Sequence, residues 1–200
     1  MDDIGDIMQT ESGRALIGQL ANNTNGRDAN NQPIHHHTTL GAYVDKNGDL
    51  ITNNSQARAR QVGEGISMPD KNGVPGKGTD AFVDVNPNMD VDGSRSDVIV
   101  FHELVHALTD TQGITDQTFV DARDSPDAGA AKDASKYKSR QEHQAAGLGK
   151  YKNSKISENA YRRERRRLGY APQGMPGDMT MPQRDNYTDD PEPYSPFFGR

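Results

Sequence analysis

The chain has 200 residues, a formal net charge of -6 and a hydrophobic fraction of 32%, which suits one domain with a modest core plus tails and is too short for two large domains. A mean hydropathy of -0.94, with 20 glycines and 11 prolines, calls for abundant loops rather than a large regular sheet. The acidic balance argues against general nucleic-acid binding, the absence of cysteine excludes disulfides and thiolate metal sites, and the longest apolar run, Val98 to Phe101, falls far short of the roughly 20 residues of a membrane span.

In TESGRALIGQLANN, Thr10 or Ser12 offers a cap and Ala15, Leu16, Ile17 and Leu20 an apolar face, which predicts a short helix. NQPIHHHTTL follows as a polar strand or loop. His35, His36 and His37 are adjacent and would alternate faces on a strand, so they do not converge as metal ligands. LGAYVDKNGDLITNN sets two short runs around Asn47-Gly48, a dipeptide suited to tight turns, and predicts a β-hairpin. After a Gly- and Pro-bearing loop, TDAFVDVNP alternates Ala81, Val83 and Val85 with Phe82, Asp84 and Asn86 before Pro87, which reads as a short strand at a sheet edge.

SRSDVIVFHELVHALTDTQG is the most regular stretch. Ser94 or Ser96 can cap it, Asp97 complements the positive helix end and Gly113 can stop it. Val98, Phe101, Val105 and Leu108 share a face that Ile99 and Leu104 widen, so this helix requires burial. Residues 121–139 read as a long polar loop, and SRQEHQAAGLG and ISENAYRRERRRLGY as two more helical pieces. Six of the prolines fall from Pro172 onward, which predicts an extended end.

Within the central helix, HELVH places His102 and His106 one turn apart on one face, where two imidazoles can hold one metal ion, with Glu103 beside them. A zinc hydrolase needs those ligands, a third one, and a carboxylate that takes the proton of the polarised water and later delivers it to the leaving amine. Glu103 is placed for that role. The extended metzincin pattern fails, because Thr109 and Gln112 stand where glycine and histidine would be required. Asp110, one turn after His106, is better placed to hydrogen-bond a ligand than to be one. Glu142 and His143 remain, and a carboxylate on a second helix packed across the first favours Glu142.

HELVHA, RQEHQAAGLG, SENAYRRERRRLGY and RDNY together resemble the NleD-like effector zinc metallopeptidases of bacteria and the related toxic metallopeptidase domains of VgrG-type and Rhs-type type VI effectors. The resemblance implies a compact zincin-like α+β domain, with a small antiparallel sheet, an active-site helix and long loops, and an endopeptidase delivered into another cell. Carried over by position, it implies His102, His106 and Glu142 as ligands of Zn2+ and Glu103 as general base. Glu158, Asn159 and Arg162 would support the site, and Tyr187, with Arg184, would stabilise the oxyanion. TDAFVDVNP would be the edge strand that pairs with an extended substrate. The implied division is a metallopeptidase domain over 1–170 and a Pro/Met-rich segment over 171–200 that packs near the active site.

Competing functions follow from other features. RRERRR, with five arginines in residues 162–167, invites a DNA-associated HExxH protease, although arginines at adjacent helix positions surround the axis and in an acidic chain pair with carboxylates, so a solvated helix is the simpler expectation. The activated water could instead cut a peptidoglycan amide, and a zinc-binding interaction module without chemistry would not need Glu103. The expected partners are a protein or peptide substrate, a cognate immunity protein and secretion machinery, with no membrane and no nucleic acid. The N-terminus shows no signal-peptide pattern, which fits synthesis in the bacterial cytoplasm followed by specialised secretion.

Overall fold

The structure, a computed structural model, describes residues 3–27, 30–45, 47–51, 57–66, 68–86, 96–120 and 138–169. In chain order the elements are α1 (Asp3–Met8), α2 (Glu11–Ala21), β1 (Thr24–Arg27), β2 (Pro33–His35), β3 (Thr38–Ala42), β4 (Ala57–Ile66), β5 (Gly78–Val85), α3 (Ser96–Thr111), β6 (Phe119–Val120), β7 (Lys138–Ser139), α4 (Arg140–Ala146) and α5 (Glu158–Arg167). This is the α+β class expected from the sequence, with a three-stranded sheet ordered β3-β5-β4.

The HELVH helix, α3, packs against β4, β5 and all four other helices. Val98, Phe101, Val105 and Leu108 are buried as their spacing predicts, and so are Val100, Leu104 and Ala107. Phe101 stacks on Tyr161 of α5 with ring centroids 4.5 Å apart, a contact that combines apolar burial with favourable offset geometry. At the start of α3 the buried Asp97 accepts a short hydrogen bond from the Tyr161 hydroxyl. Ser96 donates to Asp3 across the fold.

The helix expected at TESGRALIGQLANN forms with Thr10 as its N-cap, whose hydroxyl oxygen accepts from the Gly13 N–H. Ser12 is engaged elsewhere: its N–H and hydroxyl both donate to Glu164 of α5. The Asn47-Gly48 turn also forms, with Asp45 N–H donating to the Asp49 carbonyl and Ile51 N–H to Tyr43.

Two expectations about the sheet are corrected. The strand TDAFVDVNP is β5, and it lies in the centre, parallel to β3 and antiparallel to β4. Its Asp84 carboxylate is buried under Arg58 and Arg60. The segment before it, read as a loop, contains β4, which among the described residues is an edge strand of the sheet. Ala81 N–H donates to the His37 carbonyl and Val85 accepts from Tyr43 N–H, so alternate β5 residues direct their peptide groups to the β3 side. Their partners Gln61, Ala59 and Ala57 therefore turn theirs outward.

The polar segment 121–137 and residues from 170 onward, including Arg184 and Tyr187, lie outside the described residues, as does Ser94.

Candidate active site

The four-residue spacing on α3 brings Nε2 of His102 and Nε2 of His106 to 3.0 Å of each other. Glu142, on α4, places Oε2 3.4 Å from the first and 3.5 Å from the second. One ligand-type atom from each residue lies within 4.8 Å of the others, the one such group among the described residues.

A glycine sets the position of α4. Gly147 has φ +81, and a Cβ there would fall 2.5 Å from the Ser157 hydroxyl, so only glycine lets the end of α4 close on the N-cap of α5. Ser157 caps α5 through Ala160 N–H, and the next residue, Glu158, lies beside His102. Its Oε2 is 2.8 Å from His102 Nδ1, and its Oε1 accepts from Arg162 Nε at 2.7 Å. Since a carboxylate can only accept here, Nδ1 carries the proton and Nε2 is the nitrogen turned to Glu142 and His106.

Glu103 accepts from the outward Ala59 N–H of β4 at 2.6 Å. It lines a cleft of about 430 Å³ together with His106, Glu142, Arg58, Arg60 and Gln61. Asp110, expected to hydrogen-bond a histidine ligand, is instead occupied by Thr115 at 2.6 Å and Gln61 at 3.2 Å; it ties the end of α3 to β4 and the following loop. His143 is buried, with Nδ1 beside Gly149 rather than in the cluster.

The family model for peptidase M91, described as an effector protein, matches residues 1–187. The chain belongs to this family. No curated protein matches it. Membership makes the M91 chain a bacterial effector peptidase, acting on proteins, and bears out the NleD-like resemblance.

The electrostatics of the M91 site are those of tightly opposed charges. Burial alone would lower the pKa of His102, but Glu142 and Glu158 outweigh it and push it up to about 9. Burial would raise Glu142, yet His106 and the hydrogen bonds to both histidines hold it well below the usual carboxylate range. Glu103 goes the other way: burial raises it, against the pull of His106 and His102.

The arginine run of the M91 chain is not a solvated helix throughout. Arg162 is spent on Glu158, and Arg165 is fully buried between Asp6 and Asp97. This removes two members from any phosphate-binding stripe. His36 contacts the Lys77 carbonyl and Asp80, away from the cluster. The cleft residues of β4 were not foreseen; the alternation in ARARQ was the available signal, since it places Arg58 and Arg60 on one face and Ala59 and Gln61 on the other.

Proposed function

We propose that this effector peptidase is a zinc-dependent endopeptidase in which His102, His106 and Glu142 hold the metal and Glu103 is the general base. The observation that carries the reading is the convergence of the three ligand atoms, spaced 3.0, 3.4 and 3.5 Å apart. A four-coordinate zinc with bonds of about 2.0–2.1 Å requires neighbouring ligands roughly 3.3 Å apart, so the donor set fits. Two imidazoles and one carboxylate, with no thiolate, also suit a catalytic rather than a purely structural zinc. Bound there, the metal would lower the pKa of a water and polarise the scissile carbonyl.

The protein's own groups do the rest. Glu103 takes the proton from the water and passes it to the leaving amine. Glu158 fixes the His102 tautomer and ring orientation, with Arg162 holding Glu158 in turn. The outward peptide groups of β4 offer an extended substrate a strand to pair with beside the cluster. Tyr187 is assigned as oxyanion donor from its match to the family's late Arg-x-x-Tyr piece; Tyr187→Phe should lower kcat on the order of 100-fold with little change in metal content. The effector class supports delivery through a specialised secretion system into a target cell, with secretion machinery and an immunity protein as partners.

The test is metal content measured together with cleavage of a protein substrate. Wild type should hold one zinc and cleave. Glu103→Gln should hold zinc and lose turnover by roughly 10²–10⁴-fold, and Glu142→Ala should lose the metal. Full zinc in Glu142→Ala would move the third ligand to another residue, and cleavage by Glu103→Gln at the wild-type rate would remove the general-base assignment.

A further inference from the structure

We propose that Arg58 and Arg60 make the cleft selective for peptides carrying acidic side chains at two alternate positions, an inference that rests on the endopeptidase reading for its substrate but has a binding readout of its own. The two arginines stand two residues apart on β4, hence on the same face of the strand. Both Nε atoms lie 3.0 Å from the same oxygen of Asp84. That carboxylate is 6% exposed, whereas the arginine side chains are 55% and 45% exposed. One buried negative charge thus faces two cations, and the Arg58–Arg60–Asp84 group is left with a net positive charge on its face of β4.

The guanidinium groups are also oriented. Arg58 lies over the Tyr43 ring at 4.8 Å and Arg60 over the Phe82 ring at 4.3 Å. With Nε committed to Asp84 and each guanidinium carbon placed over an aromatic ring, the terminal amino groups are the ones left to meet a ligand, and a carboxylate matches their planar fork. Glu103, Asp110 and Glu142 line the same cleft, but the arginine side chains leave β4 on the face opposite Ala59 and Gln61. Gln61, on the opposite face, is the residue that reaches Asp110, and Arg58 and Arg60 reach Asp84 of the neighbouring strand.

Register then dictates the pattern. A strand paired with the outward groups of Ala57, Ala59 and Gln61 sends every second side chain to the arginine face. Two acidic residues separated by one residue of any kind would meet Arg58 and Arg60 together. Isolated acidic residues would meet one.

Wild-type protein loaded with zinc is incubated with a proteome-derived peptide library, and the frequency of Asp and Glu is read at each position around the cleavage sites. Enrichment of several-fold is expected at two positions, two residues apart, with Arg58→Gln removing it at one and Arg60→Gln at the other. Each single variant leaves Asp84 one arginine, and thermal melting confirms the fold. Cleavage with no acidic preference, or the same preference in wild type and both variants, would overturn the proposal and leave the arginines as a brace for Asp84. In parallel, the Glu103→Gln protein is titrated with a labelled decapeptide alternating Glu and Val, and with its Gln and Val counterpart. The Glu peptide should bind about 10-fold tighter, and equal affinities would overturn the proposal. Preferential binding of the Glu peptide with no cleavage of any peptide by wild type would instead sink the endopeptidase reading and leave the acid selectivity standing.

Discussion

Glu158 and His102 are both essentially removed from solvent and 2.8 Å apart, so the ionised carboxylate and the Nδ1 proton satisfy each other. Glu158→Gln keeps the shape but removes the charge, and metal affinity measured by chelator competition should fall about 10–100-fold. The histidine pair was legible in the sequence because helix geometry alone fixes residues four apart on one face. Glu142 was not legible from spacing. It lies 36 residues beyond His106, and it was favoured over its neighbour His143 by the expectation of a carboxylate on a second helix packed across the first, and by the resemblance. Asp110 was misjudged for a related reason: adjacency on a helix says nothing about Thr115 and Gln61, which reach it from a loop and a strand.

At the scale of elements, α5 is the brace of the site. Its arginines divide by direction. Arg165 points inward, 3.3 Å from Asp6 and 3.4 Å from Asp97, while Arg166 and Arg167 are exposed. Arg165→Met should destabilise the fold by about 3–5 kcal/mol in denaturant melts, since removing the guanidinium leaves the buried Asp97 carboxylate without its cation. Tyr161→Phe, which deletes only the hydroxyl donated to Asp97, should cost about 1–3 kcal/mol. Neither residue's burial is visible from composition, because a run of arginines reads as surface whatever it meets. Helix α2 was readable with Thr10 as one of its two candidate caps, whereas α5 was expected only as a helical piece and its cap Ser157 was not singled out. Strand β4 was not readable: Ala, Arg, Gln and Gly have weak strand preference, and it is held in place by pairing with β5 and packing against α3 rather than by an apolar pattern of its own.

For the whole molecule, the cluster is framed by contacts far apart in sequence. Ser12 meets Glu164 and Asp3 meets Ser96, so long-range contacts tie the N-terminal helices into the same core as the active-site helix. The loop after α3 is fastened by Asp116. Burial would raise this carboxyl, but Lys150, Thr118 and Tyr151 outweigh it and hold it down to about 2. A depressed folded-state pKa gives stability that is complete above the unfolded value near 4 and is lost as pH falls towards 2. Wild type should therefore exceed Asp116→Asn in melting stability by at most about 1 kcal/mol at neutral pH, with the difference closing between about pH 4 and 2. The α+β class was legible because the patterns of α3, β5 and the Asn47-Gly48 turn are local. The order of the strands was not, since it depends on which edge is covered.

On the proposed mechanism, with Glu103 as base and the substrate paired along β4, one hydrogen bond would link docking to chemistry. The Ala59 N–H that Glu103 holds at 2.6 Å is also one that an arriving strand would need for its own carbonyl. Such a strand would release the carboxylate as it docks, so the base becomes available only once the chain to be cut is in register. Substrates too short to reach Ala59 would leave the base tethered. For a matched series of peptides shortened from that side, kcat should fall more steeply than KM rises, making the enzyme slow towards small fragments and sparing of anything that does not arrive as an extended chain.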